Sequence, residues 1–333
     1  MKILIIRFSS IGDIVLTTPV IRCLKKQLPG AEIHYLTKSA YRDIIEANPY
    51  LTRRFYLDNN FGTIIQQLKN ERYDFIADLH TSLRSLLVRL QLWRPSNTFN
   101  KLNFEKWLLV NLKWNVLPDV HIVDRYLEPV RMLSVKNDGK GLDYFIPAKE
   151  VYPISSLPLT HLHGYIALVI GAKHATKKLP FEKLHRICSL LSLPIVLLGG
   201  PEDAAEGERL AQTDPVKIYN SCGKLSLNQS ASLLQQSKLV ITHDTGLMHI
   251  AAAFRKKIIS IWGNTIPEFG MSPYFGSGKV NHLALEVKNL SCRPCSKIGY
   301  DQCPKGHFKC MTQIEESAIT TAFSNLLHGH AGQ

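Results

Sequence analysis

The sequence predicts an α/β protein of two domains, each a parallel sheet with helices on both faces. Three observations lead there. Short apolar runs alternate with amphipathic stretches along nearly the whole chain, the pattern of strands joined by crossover helices. The alternation lapses at Pro147–Pro158, rich in Pro, Ser and Tyr, and then restarts. That stretch reads as an interdomain linker and gives domains of 1–150 and 151–333. A chain of 333 residues is long enough for two proper cores.

In the first half, Lys2–Ile6 reads as the opening strand. Arg7-Phe8-Ser9-Ser10-Ile11-Gly12-Asp13 follows as a polar loop, feeding a helix from about Ile14 with Val15, Val20, Ile21 and Leu24 apolar. Further strands are expected at 32–36 and 73–78, with helices between. The last of these ends in Leu79-His80-Thr81-Ser82. In the second half the expected order is strand 165–170, helix 181–192, strand 194–198, helix 203–212, strand 216–219, helix 227–236, strand 238–242, helix 246–254 and strand 257–261. No tandem repeat or low-complexity tract interrupts it.

Two strand–helix junctions carry chemistry. Leu239, Val240 and Ile241 lead through Thr242-His243-Asp244-Thr245-Gly246-Leu247-Met248-His249 into a packed helix. Asp244 and Thr245 are good N-cap residues, and Gly246 admits a ligand close to the backbone. Free N–H groups and the positive end of the helix dipole make an anion site there, suited to a diphosphate. An ordinary capped helix has the same outline. His249 is expected one turn inside, facing the same mouth. At the first junction Asp13 stands where a loop meets a helix. It reads either as a cap or as a general base at a sheet's C-terminal edge. No G-x-G-x-x-G dinucleotide fingerprint is present.

Ser9-Ser10-Ile11-Gly12-Asp13 with Thr17, Thr18 and Pro19 downstream, then Asp244–His249 with Ala251 and Ala252, then Trp262-Gly263, resemble glycosyltransferase family 9, the ADP-heptose:lipopolysaccharide heptosyltransferases. The resemblance runs from Met1 to the Cys-rich segment near Cys310. It implies a GT-B fold: α/β, with two Rossmann-like domains facing across a cleft. It also implies donor binding in the C-terminal domain, acceptor binding in the N-terminal domain, and a final helix at 314–327 that packs back on the first domain. The implied reaction is inverting and metal-independent, moving heptose from ADP-heptose to a lipopolysaccharide inner-core acceptor. Asp13 matches the family's base, and Lys177, three residues before Pro180, matches the lysine that grips the donor diphosphate. Asp244, Thr245, Gly246 and His249 match the donor turn. Leu225 falls beside the adenine and Glu202 near the ribose hydroxyls, while Ser9, Ser10, Gly12 and Lys173 complete the donor set. The chain departs from the pattern in two places. Lys173 and His174 stand where some members carry paired hydroxyls, and Leu179 replaces the usual aromatic. The same fold with another nucleotide-sugar and a different glycan acceptor therefore stands as the alternative.

Composition narrows the setting. A hydrophobic content of 45% fits a soluble globular protein, and no apolar stretch approaches the length of a bilayer span. The start does not read as a signal peptide, so a cytoplasmic protein is expected. The net charge of +13 is clustered. Arg84, Arg89, Arg94, Lys101, Lys106 and Lys113 fall in one stretch with a single acid, Glu105. Trp93, Trp107 and Trp114 are interleaved with Leu86, Leu87, Leu90, Leu92, Leu108, Leu109 and Leu112. This mixture favours an anionic lipid surface. The expectation is a peripheral protein on the inner face of the cytoplasmic membrane, with a lipid-anchored anionic glycan acceptor met by His80 and Arg84. Plain helical core with solvated charge is the bland reading. A groove for single-stranded nucleic acid would look similar. No nucleic-acid-binding signature accompanies the stretch, and that reading leaves Asp13 and Asp-Thr-Gly without a purpose, so nucleic acid is not an expected partner.

Of seven cysteines, Cys23, Cys188 and Cys222 are scattered and read as small buried residues. Cys292-x-x-Cys295, Cys303 and Cys310 are concentrated, with His307 nearby. They read as a structural zinc site or as packed free thiols. Disulfides are not expected in a cytoplasmic chain, and no cofactor is expected for catalysis.

Overall fold

The computed structural model describes residues 1–328. The chain divides into two compact units. Unit 1 holds Met1–Leu102, Val120–Phe145 and Tyr274–Gly278, and unit 2 holds Asn103–Asp119, Ile146–Pro273 and the chain from Lys279 on.

Unit 1 is built on five parallel strands, β1 (Lys2–Ile6), β2 (Glu32–Lys38), β3 (Arg53–Leu57), β4 (Phe75–Asp78) and β5 (Ser96–Thr98), in the order β3-β2-β1-β4-β5. Ile3–Ile6 are fully buried, as a central parallel strand must be when both faces are covered. The single helix expected from Ile14 is two: α1 (Ile11–Leu16) and α2 (Thr18–Gln27). Pro19 at the start of α2 has no N–H to continue an earlier helix. Thr17 at the break donates its hydroxyl to Ile14 O at 2.7 Å. Helices α3 (Arg42–Ile45), α4 (Phe61–Asn70) and α5 (Leu83–Leu92) follow.

The chain then leaves unit 1. Helix α6 (Asn103–Leu112) belongs to unit 2, where Leu109, with Val110 and Leu117, packs against Ile266 and Phe269. The basic, tryptophan-bearing stretch is thus divided between the two units. Arg84, Arg89, Trp93 and Arg94 lie in unit 1, and Lys106, Trp107, Lys113 and Trp114 in unit 2. Helix α7 (Ile122–Leu127) returns to unit 1.

Unit 2 is built on six parallel strands, β6 (Ile166–Val169), β7 (Ile195–Leu198), β8 (Ile218–Asn220), β9 (Leu239–His243), β10 (Ile258–Trp262) and β11 (His282–Glu286), in the order β11-β10-β9-β6-β7-β8. Helices α8 (Phe181–Leu190), α9 (Ala204–Thr213), α10 (Leu227–Gln236), α11 (Gly246–Ala253), α12 (Lys309–Thr312) and α13 (Glu316–His328) complete it. The final helix, which the resemblance implies packs back on the first domain, belongs to unit 2. Ile319, Ala322 and Phe323 of α13 join the unit 2 core, and Glu316 accepts a 3.0 Å ion pair from Lys183 of α8. Its apolar face finds its burial in unit 2. The short segment Tyr274–Gly278 goes the other way. Gly276 (φ +63°) lies so close to Gly139 that a Cβ would stand 2.1 Å from the Gly139 carbonyl oxygen, and Ser277 N donates to that oxygen at 2.7 Å.

Both sheets have a topological switch point. From β1 the chain builds outward through β2 and β3, then returns to the other side with β4; from β6 it builds through β7 and β8, then returns with β9. At such a point the loops leaving the strands' carboxyl ends diverge and leave a crevice where ligands bind.

One buried cluster holds unit 1 together. Arg22 is 2% exposed. It donates to both Asp138 oxygens at 2.8 and 2.7 Å, to Gly141 O at 2.8 Å, and to Asp143. The guanidinium holds the Asp138 carboxyl down at about 2. That contribution is complete above the ordinary carboxylate range and is lost as pH falls from 3.8 through about 2. Arg22→Met leaves two partly buried carboxylates without the guanidinium they are bonded to and is expected to cost about 3 kcal/mol or more. An unshifted urea midpoint would show the cluster to be energetically idle.

Candidate active site

In unit 1 the residues following β1 and β4 meet at the switch point. Arg7, buried at the end of β1, donates Nη1 to Leu79 O at 2.5 Å and Nε to Ser9 O at 2.7 Å. Its Nη2 lies 2.7 Å from Asp13 Oδ1. Asp13 Oδ2 accepts from Ser10 N at 3.2 Å and Ser10 Oγ at 2.8 Å, and Tyr126 OH donates to Oδ1 at 3.2 Å. Burial works to raise the Asp13 pKa, but Arg7 and Ser10 outweigh it and hold the group below the ordinary carboxylate range. Asp13 thus serves as a first-turn cap partner and also stands as a charged, oriented carboxylate with 20% of its side chain exposed.

His80 lies on the same crevice. Burial lowers its pKa to about 4, with Arg7 and Lys101 adding to the effect, so the imidazole is neutral near pH 7. Its ring meets Phe8 edge-on at 4.9 Å, and Asp78 accepts its backbone N–H at 3.0 Å. A neutral His80 brings hydrogen-bonding capacity to the crevice and no positive charge. Arg84 stands exposed in the first turn of α5. Ser9, Ser10 and Gly12 gather around Asp13 in unit 1, whereas the other residues of the expected donor set belong to unit 2.

In unit 2 the loops after β6 and β9 meet at that sheet's switch point. Lys177 Nζ lies 2.5 Å from Asp244 Oδ2, and Thr265 Oγ1 donates to the same oxygen at 2.9 Å. Leu179 N donates to His243 Nε2 at 3.0 Å, which fixes the lysine loop to the end of β9. Thr245 is the N-cap of α11, but its side chain makes no capping hydrogen bond. Asp244–Leu247 are partly exposed. The amide end of α11 is therefore open beside a lysine, and an ammonium carries three donors. Asp244, expected as a cap, serves instead to hold Lys177.

The remaining candidates divide. Gly223 (φ +71°) sits so close to Pro201 that a Cβ would approach its Cα to 2.9 Å. This brings the loop of half-buried Leu225 beside the turn of exposed Glu202. Lys173 is exposed on the loop before Lys177. Lys178 is committed elsewhere, paired with buried Asp203. His249 does not face a mouth: it is 2% exposed, because α11 is apolar around most of its surface and is buried accordingly.

Sequence reasoning missed Arg7, Tyr126, Thr265 and Arg293. Arg293 donates to Gly263 O at 2.5 Å, Thr265 O at 2.9 Å and Glu286 Oε2 at 2.8 Å. Nearby, Cys295 N donates to Asn264 O at 3.2 Å, and Tyr300 N donates to Thr176 Oγ1 at 2.8 Å. The Cys-rich segment thus clamps the two loops that carry Lys177 and Thr265. Its thiols are free. Cys292 Sγ is 3.8 Å from His307 Nε2, and Cys295 Sγ donates to Cys292 O at 2.9 Å. Burial and the neighbouring Cys292 push Cys295 up to about 12. Among the described residues no three His, Cys, Asp or Glu side chains are arranged to hold a metal ion. Elemental analysis of protein prepared without chelator decides the zinc expectation. One equivalent means that Cys292, Cys295, Cys303 and Cys310 close into a ligand shell, and none means that they pack as thiols.

The two doubly wound sheets, each with an equipped switch point, place the protein in the GT-B class of glycosyltransferase folds. The fold matches that of the ADP-heptose lipopolysaccharide heptosyltransferase II of Escherichia coli, with a TM-score of 0.74 at 20% identity over 100% of both chains. It also matches a family 9 glycosyltransferase of Veillonella parvula, with a TM-score of 0.76 at 21% identity over 98% and 97%. In sequence, the chain is 23% identical to lipooligosaccharide heptosyltransferase 2 of Haemophilus influenzae over 303 residues, 81% of this chain and 85% of the relative. It is 26% identical to lipopolysaccharide heptosyltransferase 1 of Campylobacter coli over 289 residues, 80% and 84%. Residues 61–300 match glycosyltransferase family 9 (heptosyltransferase). The chain belongs to that family and is a glycosyltransferase.

Proposed function

We propose that the protein transfers heptose from ADP-heptose to a lipid-anchored, anionic lipopolysaccharide inner-core acceptor at the inner face of the cytoplasmic membrane, with inversion and without a catalytic metal. The relatives are named as heptosyltransferases of lipopolysaccharide or lipooligosaccharide, and one solved neighbour is an Escherichia coli heptosyltransferase with ADP, at a TM-score of 0.68 and 20% identity. The observation that carries the reading is the pair of switch-point sites: an oriented carboxylate, Asp13, in unit 1, and a lysine beside an open helix N-terminus, Lys177 with α11, in unit 2.

The acceptor hydroxyl attacks the anomeric carbon as the bond to the diphosphate breaks, through an oxocarbenium-like transition state by analogy with glycosidases. Asp13 takes the hydroxyl proton. Its lowered pKa makes it a weak base, and a weak base suffices when the hydroxyl becomes acidic only as the new bond forms. The charge that gathers on departing ADP is met by Lys177 and the N–H groups of Thr245 and Gly246, which supply what a bound cation supplies elsewhere. His80 and Arg84 meet the acceptor, and Leu225 and Glu202 meet the nucleoside.

A thermal-shift comparison of ADP, UDP, GDP and dTDP tests the donor. A nucleotide at 100 times its Kd stabilises the native state by about 2.7 kcal/mol. Selective stabilisation by ADP supports the proposal, and preference for UDP supports the rival reading with another nucleotide-sugar and glycan. The pH profile tests the base. Asp13 is held below the ordinary carboxylate range and His80 at about 4, so kcat is expected to be flat between about pH 5.5 and 8 as far as these groups decide it. An acid limb with its midpoint near 6.5 would assign the base to a histidine.

A further inference from the structure

Helix α5 carries two apolar stripes, and among the described residues only one is buried against the rest of the protein. Val88 and Leu92 enter the unit 1 core, and Ser85 is buried with them. At about 100° per residue these three share one side of the helix. Leu83, Leu86, Leu87 and Leu90 share the opposite side and are 82%, 41%, 50% and 53% exposed. Trp93, the left-handed residue that ends the helix, is 84% exposed. A surface helix ordinarily sets a polar face opposite its buried one. A second, solvent-facing apolar stripe ending in tryptophan marks an interaction surface.

Charge identifies the occupant. Arg84 flanks the stripe and Arg94 follows Trp93, and both are exposed. No aspartate or glutamate occurs between Leu79 and Phe104. Leucines reach the acyl boundary, a tryptophan ring sits at headgroup level, and arginines extend to lipid phosphates. A second copy of the chain fits poorly, because pairing two such faces brings two cationic rims together. We infer that the Leu83–Trp93 face of α5 docks unit 1 onto a bilayer with anionic headgroups. This rests on the reading that the acceptor is lipid-anchored, and it names the surface that would bring the protein to it.

The test compares the full-length protein with the variant L86S/L87S/L90S. Both are floated with vesicles of phosphatidylcholine alone or of phosphatidylcholine with about one third phosphatidylglycerol. The wild type is expected to bind the anionic vesicles, more weakly at high salt, and the variant to bind them at least about tenfold less. Both should melt alike and transfer sugar to a water-soluble acceptor within about twofold, since exposed positions carry little stability. The inference is overturned if the wild type does not float or if the variant floats equally. It is also overturned if the wild type alone is dimeric without lipid, or if single-stranded RNA binds wild type and not variant as strongly as vesicles do. If the wild type floats and the variant does not, yet neither protein transfers sugar, the activity reading fails and the docking surface stands.

Discussion

Asp13→Asn is expected to lower transfer by about 10²- to 10⁴-fold, the usual contribution of a positioned general base. The amide keeps the size of the carboxylate and most of its capping capacity. It cannot take the proton of the acceptor hydroxyl. From sequence alone the change looks neutral for folding, because only the cap is visible. The structure adds a cost. Arg7, 9% exposed in its side chain, loses the carboxylate at 2.7 Å, and a buried cation without its partner destabilises by about 3 kcal/mol. The variant should therefore melt earlier, and its rate must be measured well below that transition. ADP affinity should persist, because the loops proposed to hold the nucleotide lie in unit 2. Transfer within a few-fold of wild type, with folding and ADP binding intact, would reduce Asp13 to a cap and remove the proposed mechanism.

Lys177→Ala is expected to lower turnover by about 10- to 1,000-fold and to weaken ADP binding. Two effects combine. The ammonium proposed to meet the departing diphosphate is gone, and Asp244, left without its cation, sets a like charge where that diphosphate is proposed to lie. The double variant Lys177→Ala with Asp244→Ala separates them. It should recover part of the ADP affinity and little of the turnover. Neighbouring lysines are poor replacements: Lys178 is held by Asp203, which is 1% exposed in its side chain, and Lys173 points into solvent. Unchanged affinity and turnover in the single variant would place the diphosphate elsewhere.

Much of the architecture was legible because its physics is local. The strands at the centre of each sheet are continuous apolar runs, as burial on both faces requires. Ser226 and Gln229 form a capping box that sets the start of α10, and the helix spans the residues that periodicity assigns. The strands β3, β5 and β11 were missed because they are short, mixed in composition and lie at or toward sheet edges, where one side needs no apolar cover. The excursion of 103–119 into unit 2 was not legible either. Leu109 and Leu117 announce burial, but nothing local says against which sheet. The same limit applies to the site. Asp13 and Lys177 stand in recognisable stretches of sequence, whereas Arg7 reads as a lone basic residue until the fold brings Leu79 within 2.5 Å of it, across 72 positions of sequence. His249 was misread because one-turn spacing gives a direction and no information on what packs over it.

The central claim is heptosyl transfer from ADP-heptose with inversion. It is tested most directly by incubating the full-length protein with ADP-heptose and a water-soluble inner-core acceptor, then following ADP release and the anomeric proton of the product by NMR. The account predicts acceptor-dependent release of ADP and a product whose anomeric configuration is opposite to that of the donor. Retained configuration, or no ADP release while another nucleotide-sugar is consumed, would contradict it.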